Sequence, residues 1–424
     1  MKWIEPVKAE PDVSLYGNKG ASLIRMARLG MPVPRFAIID PSGVYDSYDF
    51  RLQGEIVSVR SSGKISMPGM MDTILNVGLN SNLIYNDPAA YSLKEDYAQF
   101  IRDYQVLVNK KDSLPFDEHL ASDKDIDTII NELLYIADGF PQDPQLQLER
   151  CIQAVRDSWK NDRATVYRNH LSLKQETPAV IVQSMVTPVL SDTSDGAGSG
   201  VILTRTPETN EFGPYGDFLP NRLGDAIVSG SAFTEDITKY QETWWYDYLV
   251  ECCRKVEEEW GSTCEIEFVV TGFSVFFLQC REAKFSTMLY REEMKDLSSY
   301  RKLGKGLVIQ PANLEGVLAL TSEQAIEQKE QGLSPILVRE RTDPADIHGM
   351  IAADAIVTLT GGLVSHAAIT ARAWGKPCVV ALNKEENNIE LTDQILTDTK
   401  TGLTFQPGDA ILLHEGALYA CKGQ

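Results

Sequence analysis

Residues 359–380 read LTGGLVSHAAITARAWGKPCVV. His366 follows a Gly-Gly pair and a serine, and the run AAITARAW after it reads as helix. The first four N–H groups of a helix have no partner within it, and the helix dipole adds partial positive charge there. An imidazole at such a place is biased toward its neutral, nucleophilic form. A phosphoryl group bound to it would lie among N–H donors. Gly361 and Gly362 let the backbone approach a ligand without a Cβ in the way. Histidine serves many roles, and a lone one is more often hydrogen-bonded in a loop. The neighbouring residues therefore decide the reading.

The chain has 424 residues, enough for two or three domains with their own cores. Hydrophobic residues at 43% and charged residues at 24% are ordinary for a globular protein. A formal charge of −20 argues against nucleic acid, whose binding needs a cationic surface. Seven cysteines without CxxC spacing suggest neither a disulfide framework nor a zinc site. The sequence shows no apolar run near the ~20 residues of a membrane helix. The opening MKWIEPVKAEP lacks the apolar centre of a signal peptide. These features point to a reducing cytoplasm and to no membrane partner.

Three amphipathic helices are expected between about 90 and 170. Their stripes are Tyr97, Ile101, Tyr104 and Val108; Ile126, Ile129, Leu133 and Ala137; and Leu148, Ile152, Val155 and Trp159. From 179 onward strands dominate, including AVIVQSMV, GVILT and a hairpin CEIEFVVTGFSVFFLQCR turning near Thr271-Gly272. Side chains alternate along a strand, so Glu265 and Glu267 share a face, and Gln279 and Arg281 share one on the return. Such a wall of two carboxylates, an amide and a guanidinium suits Mg²⁺ bound together with nucleotide phosphates, with Arg281 beside the anion. The same alternation also fits a solvated polar face. Residues 284–305 are charged, helical in flavour and suited to a connector. Residues 306–424 alternate strands with one clear helix.

The 359–380 stretch closely resembles the phosphohistidine signature of the pyruvate phosphate dikinase and phosphoenolpyruvate synthase family, and ILVRERTDPADIHGMIAADAIVT upstream resembles that family's swivelling domain. GNKGASLIRMARLGMPVP and VSVRSSGKISMPGMMDTILNVGLN are similar to its nucleotide-binding domain, as are AVRDSWKNDRATVYR and GVILTRTPETNEFGPYGDFLPNRLGDAIVSG. The resemblance implies an α/β fold: an ATP-grasp-like nucleotide-binding domain over 1–283 with a helical segment at about 90–170, a linker over 284–305, and a swivelling β/β/α phosphohistidine domain over 306–424.

It implies His366 as phosphoryl carrier, supported by Gly361, Gly362, Ser365 and Arg372. Lys19, Arg60 and Arg281 would act with it in catalysis. Gly69, Met70, Met71, Thr204, Arg205, Asp217, Glu265, Glu267, Gln279 and Arg281 would join Lys19 and Arg60 around ATP, and Glu267 and Gln279 would hold Mg²⁺. The loop MPGMMDT looks like the dikinase branch, which gives AMP and pyrophosphate with inorganic phosphate as γ-phosphoryl acceptor. The synthase branch uses water instead.

Some positions depart from the family pattern. Val364 stands where many dikinases have threonine, Glu265 where aspartate is usual, and Ala381 where glycine is frequent. GLVIQPANLEG lacks the usual Ser-Pro-Gly. The family's large (β/α)₈ barrel for pyruvate and phosphoenolpyruvate has no counterpart in these residues. The final acceptor would then be bound by a separate subunit or arrive from solution. A small-molecule phosphotransferase and a non-catalytic nucleotide-binding subunit are the other readings.

Overall fold

The computed structural model describes residues 9–41, 52, 54–67, 69–170, 172–173, 177–186, 196–206, 209–221, 234–283, 297–311, 313–363, 365–383, 388–392 and 394–421. Val364 and most of the expected linker, 284–296, lie outside the described residues. The chain divides into two compact units, Met1–Val186 and Thr187–Gln424.

In the first unit, helix α1 (Val13–Arg28) starts at Asp12, whose carboxylate accepts from Ser14 N at 2.7 Å. Four strands follow it in space. They are β1 (Phe36–Ile39), β2 (Val57–Ser62), β3 (Thr73–Val77) and β4 (Ala179–Ser184), paired in the order β1-β4-β2-β3. Between β3 and β4 run α2 (Ser81–Asn86), α3 (Lys94–Asp103), α4 (Leu114–Leu120), α5 (Ile126–Ile136), α6 (Pro144–Asp157) and α7 (Asp162–His170). The three expected stripes, all but Trp159, form one core with a single face of the sheet. Tyr97, Ile101, Tyr104, Ile129, Leu133, Ala137, Leu148, Ile152 and Val155 are buried with Val57, Val59, Val180 and Val182. Alternation then assigns Ser58, Arg60, Ser62 and Gln183 to the other face.

In the second unit, β5 (Gly198–Arg205), β6 (Phe212–Pro220), β7 (Glu235–Asp236), β8 (Cys264–Val270) and β9 (Val275–Glu282) make a sheet in the order β7-β6-β5-β8-β9. Helix α8 (Trp244–Trp260) packs on one face. Trp245 stacks on Phe218 at 5.1 Å, and Cys252, Cys253 and Val256 are fully buried.

The remainder is a β/β/α stack. Its centre is an eight-stranded sheet, order β10-β20-β19-β12-β13-β14-β15-β11. These strands are β10 (Tyr300–Lys305), β11 (Leu307–Gln310), β12 (Asn313–Ala319), β13 (Pro335–Arg339), β14 (Ala355–Thr358), β15 (Cys378–Val380), β19 (Ala410–His414) and β20 (Ala417–Cys421). Strands β12 to β15 run parallel. Their crossovers are α9 (Ser322–Glu330), α10 (Ile347–Ala352) and α11 (His366–Trp374). A small sheet of β16 (Ile389–Thr392), β17 (Ile395–Asp398) and β18 (Leu403–Phe405) covers the opposite face through Ile389, Leu396 and Phe405.

Three expectations meet a different outcome. Residues 300–305, read as part of a helical connector, are strand β10 paired with β20, so the sheet begins there. Among its described residues, 306–424 holds three helices instead of one, because α9 carries few apolar residues and α10 is only six residues long. The division at 186/187 falls inside the region expected to be one domain. Its cause is a shared core in which Val201 and Leu219 of β5 and β6 pack with Leu363, Ala367, Ala368 and Ala371 around α11. Ala381, the family's frequent glycine, has φ +53°, the left-handed region that glycine adopts without strain.

Candidate functional site

In the first unit, a break in α1 places Lys19. Gly17 has φ +66° and ψ 175°, and a Cβ there would overlap the carbonyl of Ser62. That contact closes the turn onto the end of β2. Asn18 N donates to Gly63 O at 2.8 Å, Asn18 Nδ2 to Lys64 O at 2.8 Å, and Gly20 N to Ser62 Oγ at 3.1 Å. Lys19 is thereby held half-buried two residues along β2 from Arg60, whose Nη1 reaches Gln183 Oε1 at 3.5 Å. The structure thus brings these two cations to one end of one strand.

The loop Gly69–Met71 is anchored from behind. Met70 O accepts from Asn161 Nδ2 at 3.3 Å and from Arg163 Nε at 3.1 Å. Asp72 is 5% exposed and pairs with Arg163, while its N–H donates to Ser158 Oγ at 3.0 Å. Met70 is fully buried and Met71 nearly so, whereas Gly69 is exposed. The methionines therefore fasten the loop, and its glycine backbone is the part that can meet a ligand. Ser158, Asn161 and Arg163 were not singled out from sequence, since they lie about 90 residues from the loop they hold.

In the second unit the hairpin has the expected face. Glu265 is opposite Arg281 and Glu267 opposite Gln279, and the register slips by one just after Glu267, leaving Leu278 as the extra residue of a bulge. Gln279 Nε2 donates to Glu267 Oε1 at 2.9 Å, and Arg281 Nε to Glu265 Oε1 at 2.8 Å. Val201 lies opposite both Glu267 and Asp217, so Asp217 joins the same wall. Its Oδ1 accepts from Thr234 Oγ1 at 3.0 Å.

Thr204 and Arg205 are engaged elsewhere. Thr204 Oγ1 donates to Glu257 Oε1 at 2.6 Å and accepts from Cys264 N at 3.0 Å. Arg205 forks onto the same carboxylate, with Nε at 3.0 Å and Nη2 at 2.9 Å. Both side chains tie β5 to α8, because Thr204 follows a residue of the wall and points to the opposite face.

His366 is the first residue of α11, in the loop leaving the carboxyl end of parallel strand β14, where crossover helices of such sheets present ligand sites. It is 6% exposed. Its Nδ1 meets Thr342 Oγ1 at 3.1 Å. With Nδ1 as donor the lone pair lies on Nε2, the tautomer a nucleophile at Nε2 requires. Beside the histidine a small pocket is lined by Arg341, Thr342, Thr358, Thr360, Gly361, Ser365 and Ala367. Ser365 Oγ is buried and makes no hydrogen bond among the described residues. Gly361 has φ +96°. Gly362 lies against Asp217, where a Cβ would overlap Oδ2 and stand 3.1 Å from Cγ. Arg341, Thr342, Thr358 and Thr360 were missed from sequence; only the fold of β13 and β14 sets them beside His366.

Arg372, expected beside a phosphohistidine, lies six residues on, about 9 Å along the helix. Its Nη1 donates to Glu265 Oε2 at 3.3 Å. Burial pushes its pKa down, Glu265 pulls it up and Arg281 pushes it down. One carboxylate between two guanidiniums leaves this buried cluster with surplus positive charge. Among the described residues no group of three His, Cys, Asp or Glu side chains could hold a metal, so a cation here would depend on Glu267, Gln279 and ligand oxygens. No helix among the described residues is long and apolar enough to cross a membrane.

Residues 42–247 match the family described as pyruvate phosphate dikinase, AMP/ATP-binding domain, and residues 333–402 match the mobile domain of PEP-utilising enzymes. The chain therefore joins an AMP/ATP-binding domain to a mobile domain of the PEP-utilising kind. Chloroplastic pyruvate, phosphate dikinase 1 of Arabidopsis thaliana is 32% identical over 88% of this chain and 47% of its own length. The chloroplastic enzyme of Flaveria trinervia is 32% identical over 91% and 50%, and pyruvate, phosphate dikinase 2 of Zea mays 31% over 94% and 55%. The chain belongs to the pyruvate phosphate dikinase family, and it spans about half the length of these curated relatives. A D-alanine–D-alanine ligase of Helicobacter pylori overlaps 63% of this chain and 51% of its own at 8% identity and a TM-score of 0.27.

Proposed function

We propose that this protein is an ATP-dependent phosphotransferase of the dikinase type in which His366 carries the phosphoryl group. His366 Nε2 attacks the β-phosphorus of ATP. A P–N bond forms, the bond to the α-phosphate oxygen breaks, and AMP leaves with that oxygen. Inorganic phosphate then takes the γ-phosphoryl group, giving pyrophosphate and phospho-His366. The observation that carries the reading is the site of His366. A buried imidazole at a helix start is held by Thr342 through Nδ1, next to a pocket lined by Ser365 and Arg341.

Lys19, Arg60 and Arg281 would hold the triphosphate, with Asp217 on the wall of Glu267. Gly69 offers backbone to the nucleotide. Glu267 and the carbonyl oxygen of Gln279 fit Mg²⁺, which needs few protein ligands when phosphates supply the rest. Bound there, Mg²⁺ would neutralise phosphate charge. Glu265 serves Arg281 more than the nucleotide, since both its oxygens are engaged. Thr204 and Arg205 support this wall from behind through Glu257.

The test is incubation with Mg²⁺ and ATP labelled at the β-phosphate, with and without inorganic phosphate. Acid-labile, base-stable label on His366, absent from His366→Ala and accompanied by AMP, supports the reading. AMP formed together with orthophosphate in place of pyrophosphate, at a rate that added phosphate does not change, selects the water-using branch. Tight ATP binding without label sinks phosphotransfer.

A further inference from the structure

Glu265 is 3% exposed and its two oxygens have different owners. Arg281 holds Oε1 from across the hairpin, and Arg372 holds Oε2 from α11, the helix that begins with His366. Arg372 is 8% exposed. The rest of that contact is apolar, with Ala367, Ala368 and Ala371 against Val201 and Leu219. Apolar contact is non-directional and can slide. A buried guanidinium is costly unless its partner stands in one place. The ion pair therefore sets where the helix comes to rest, and the close approach of Gly362 to Asp217 fixes the other end of the loop and helix in register.

We propose that Arg372 is the positioning residue that docks the carrier helix on the β5–β9 sheet through Glu265, and that docking orients Arg281 by leaving it one oxygen of that carboxylate. While the helix is docked, Glu265 is divided and Arg281 is held through Oε1. When the helix leaves, Arg372 takes its charge into water, and both oxygens of Glu265 fall to Arg281 as a bidentate pair. Arg281 is then drawn toward the carboxylate and away from phosphate. The cation that assists the transfer is in place only when its nucleophile has arrived. The effect on ATP rests on the function proposed above; the docking contact does not.

The experiment uses the full chain as wild type, Arg372→Met, Arg372→Lys and Glu265→Gln, each checked by circular dichroism. Two donors label His366. Phosphoramidate phosphorylates accessible imidazoles without a nucleotide site, and β-labelled ATP with Mg²⁺ and phosphate uses the site. His366 is 6% exposed when docked, so Arg372→Met is expected to accept label from phosphoramidate several-fold faster and from ATP about tenfold more slowly. Its ATP affinity falls as Arg281 turns from the triphosphate, and Arg372→Lys lies between in both arms. Glu265→Gln, which leaves two guanidiniums without their carboxylate, undocks further than Arg372→Met. Equal phosphoramidate rates in wild type and Arg372→Met, or a fall in both arms, overturn the proposal. If wild type takes no label from ATP, the transfer reading fails while the phosphoramidate comparison still decides the docking contact.

Discussion

Replacing Thr342 with valine keeps the shape of the side chain and removes only the hydroxyl that meets His366 Nδ1. The pair is buried, with Thr342 4% and His366 6% exposed, and 3.1 Å apart. Water cannot readily substitute for the lost partner. A buried polar group deprived of its partner costs about 1–3 kcal/mol. The imidazole can escape that cost by moving its proton to Nε2, but that places the proton on the atom that must attack phosphorus. Either way the reactive tautomer becomes the minor one. At about 1.4 kcal/mol per tenfold, the rate of His366 phosphorylation should fall about 5- to 150-fold. The assay is single-turnover labelling from saturating β-labelled ATP, with nucleotide affinity measured separately. Affinity should be unchanged, since the lost hydroxyl hydrogen-bonds the carrier histidine. Thr342→Ser, which restores a hydroxyl, should recover much of the rate. Labelling of Thr342→Val at the wild-type rate would refute the tautomer argument.

Arg163→Met removes both the ion pair to Asp72 and a bond to Met70 O, leaving a carboxylate 5% exposed without its nearest partner. Nucleotide affinity by titration calorimetry should drop about tenfold as the Gly69 loop loosens, and Arg163→Lys should restore part of it. Gly17→Ala combines φ +66° with overlap of Ser62 O, so it should cost about 2–4 kcal/mol in urea unfolding and abolish Lys19-dependent ATP binding. Lys376 Nζ donates to Met350 O at 2.8 Å and Ile351 O at 2.7 Å, capping α10, and Lys376→Met should cost about 2 kcal/mol by thermal melting. Burial pushes the Lys376 amine down to about 8, below the ~10.4 of an unfolded chain. Between those pH values the unfolded chain keeps a proton that the folded one has released. Wild-type stability should therefore rise with pH through that window, and Lys376→Met should lack the slope.

The helical stripes at 97–108, 126–137 and 148–155 and the 264–282 hairpin could be read because each is a local repeat, 3.6 or 2 residues long, imposed by one element on its own side chains. Short helices such as α10 escaped because six residues give no repeat to see. The segment 300–305 misled for a related reason. YRKLGK has the charge of a helix surface, and only its pairing with β20 makes it a strand.

The site divides in the same way. The place of His366 at a helix start, the glycines before it, and Glu265 and Glu267 on one strand face follow from neighbours in sequence, whose geometry the backbone dictates. Thr342 beside His366, Asn161 and Arg163 behind Met70, and Arg372 on Glu265 join residues 24 to 107 positions apart. The turning of Thr204 and Arg205 toward Glu257 belongs with them. Sequence determined which elements form and which side chains each presents. The packing of sheets and helices decided which side chains meet, because a contact across elements depends on register and crossing geometry that no single segment encodes.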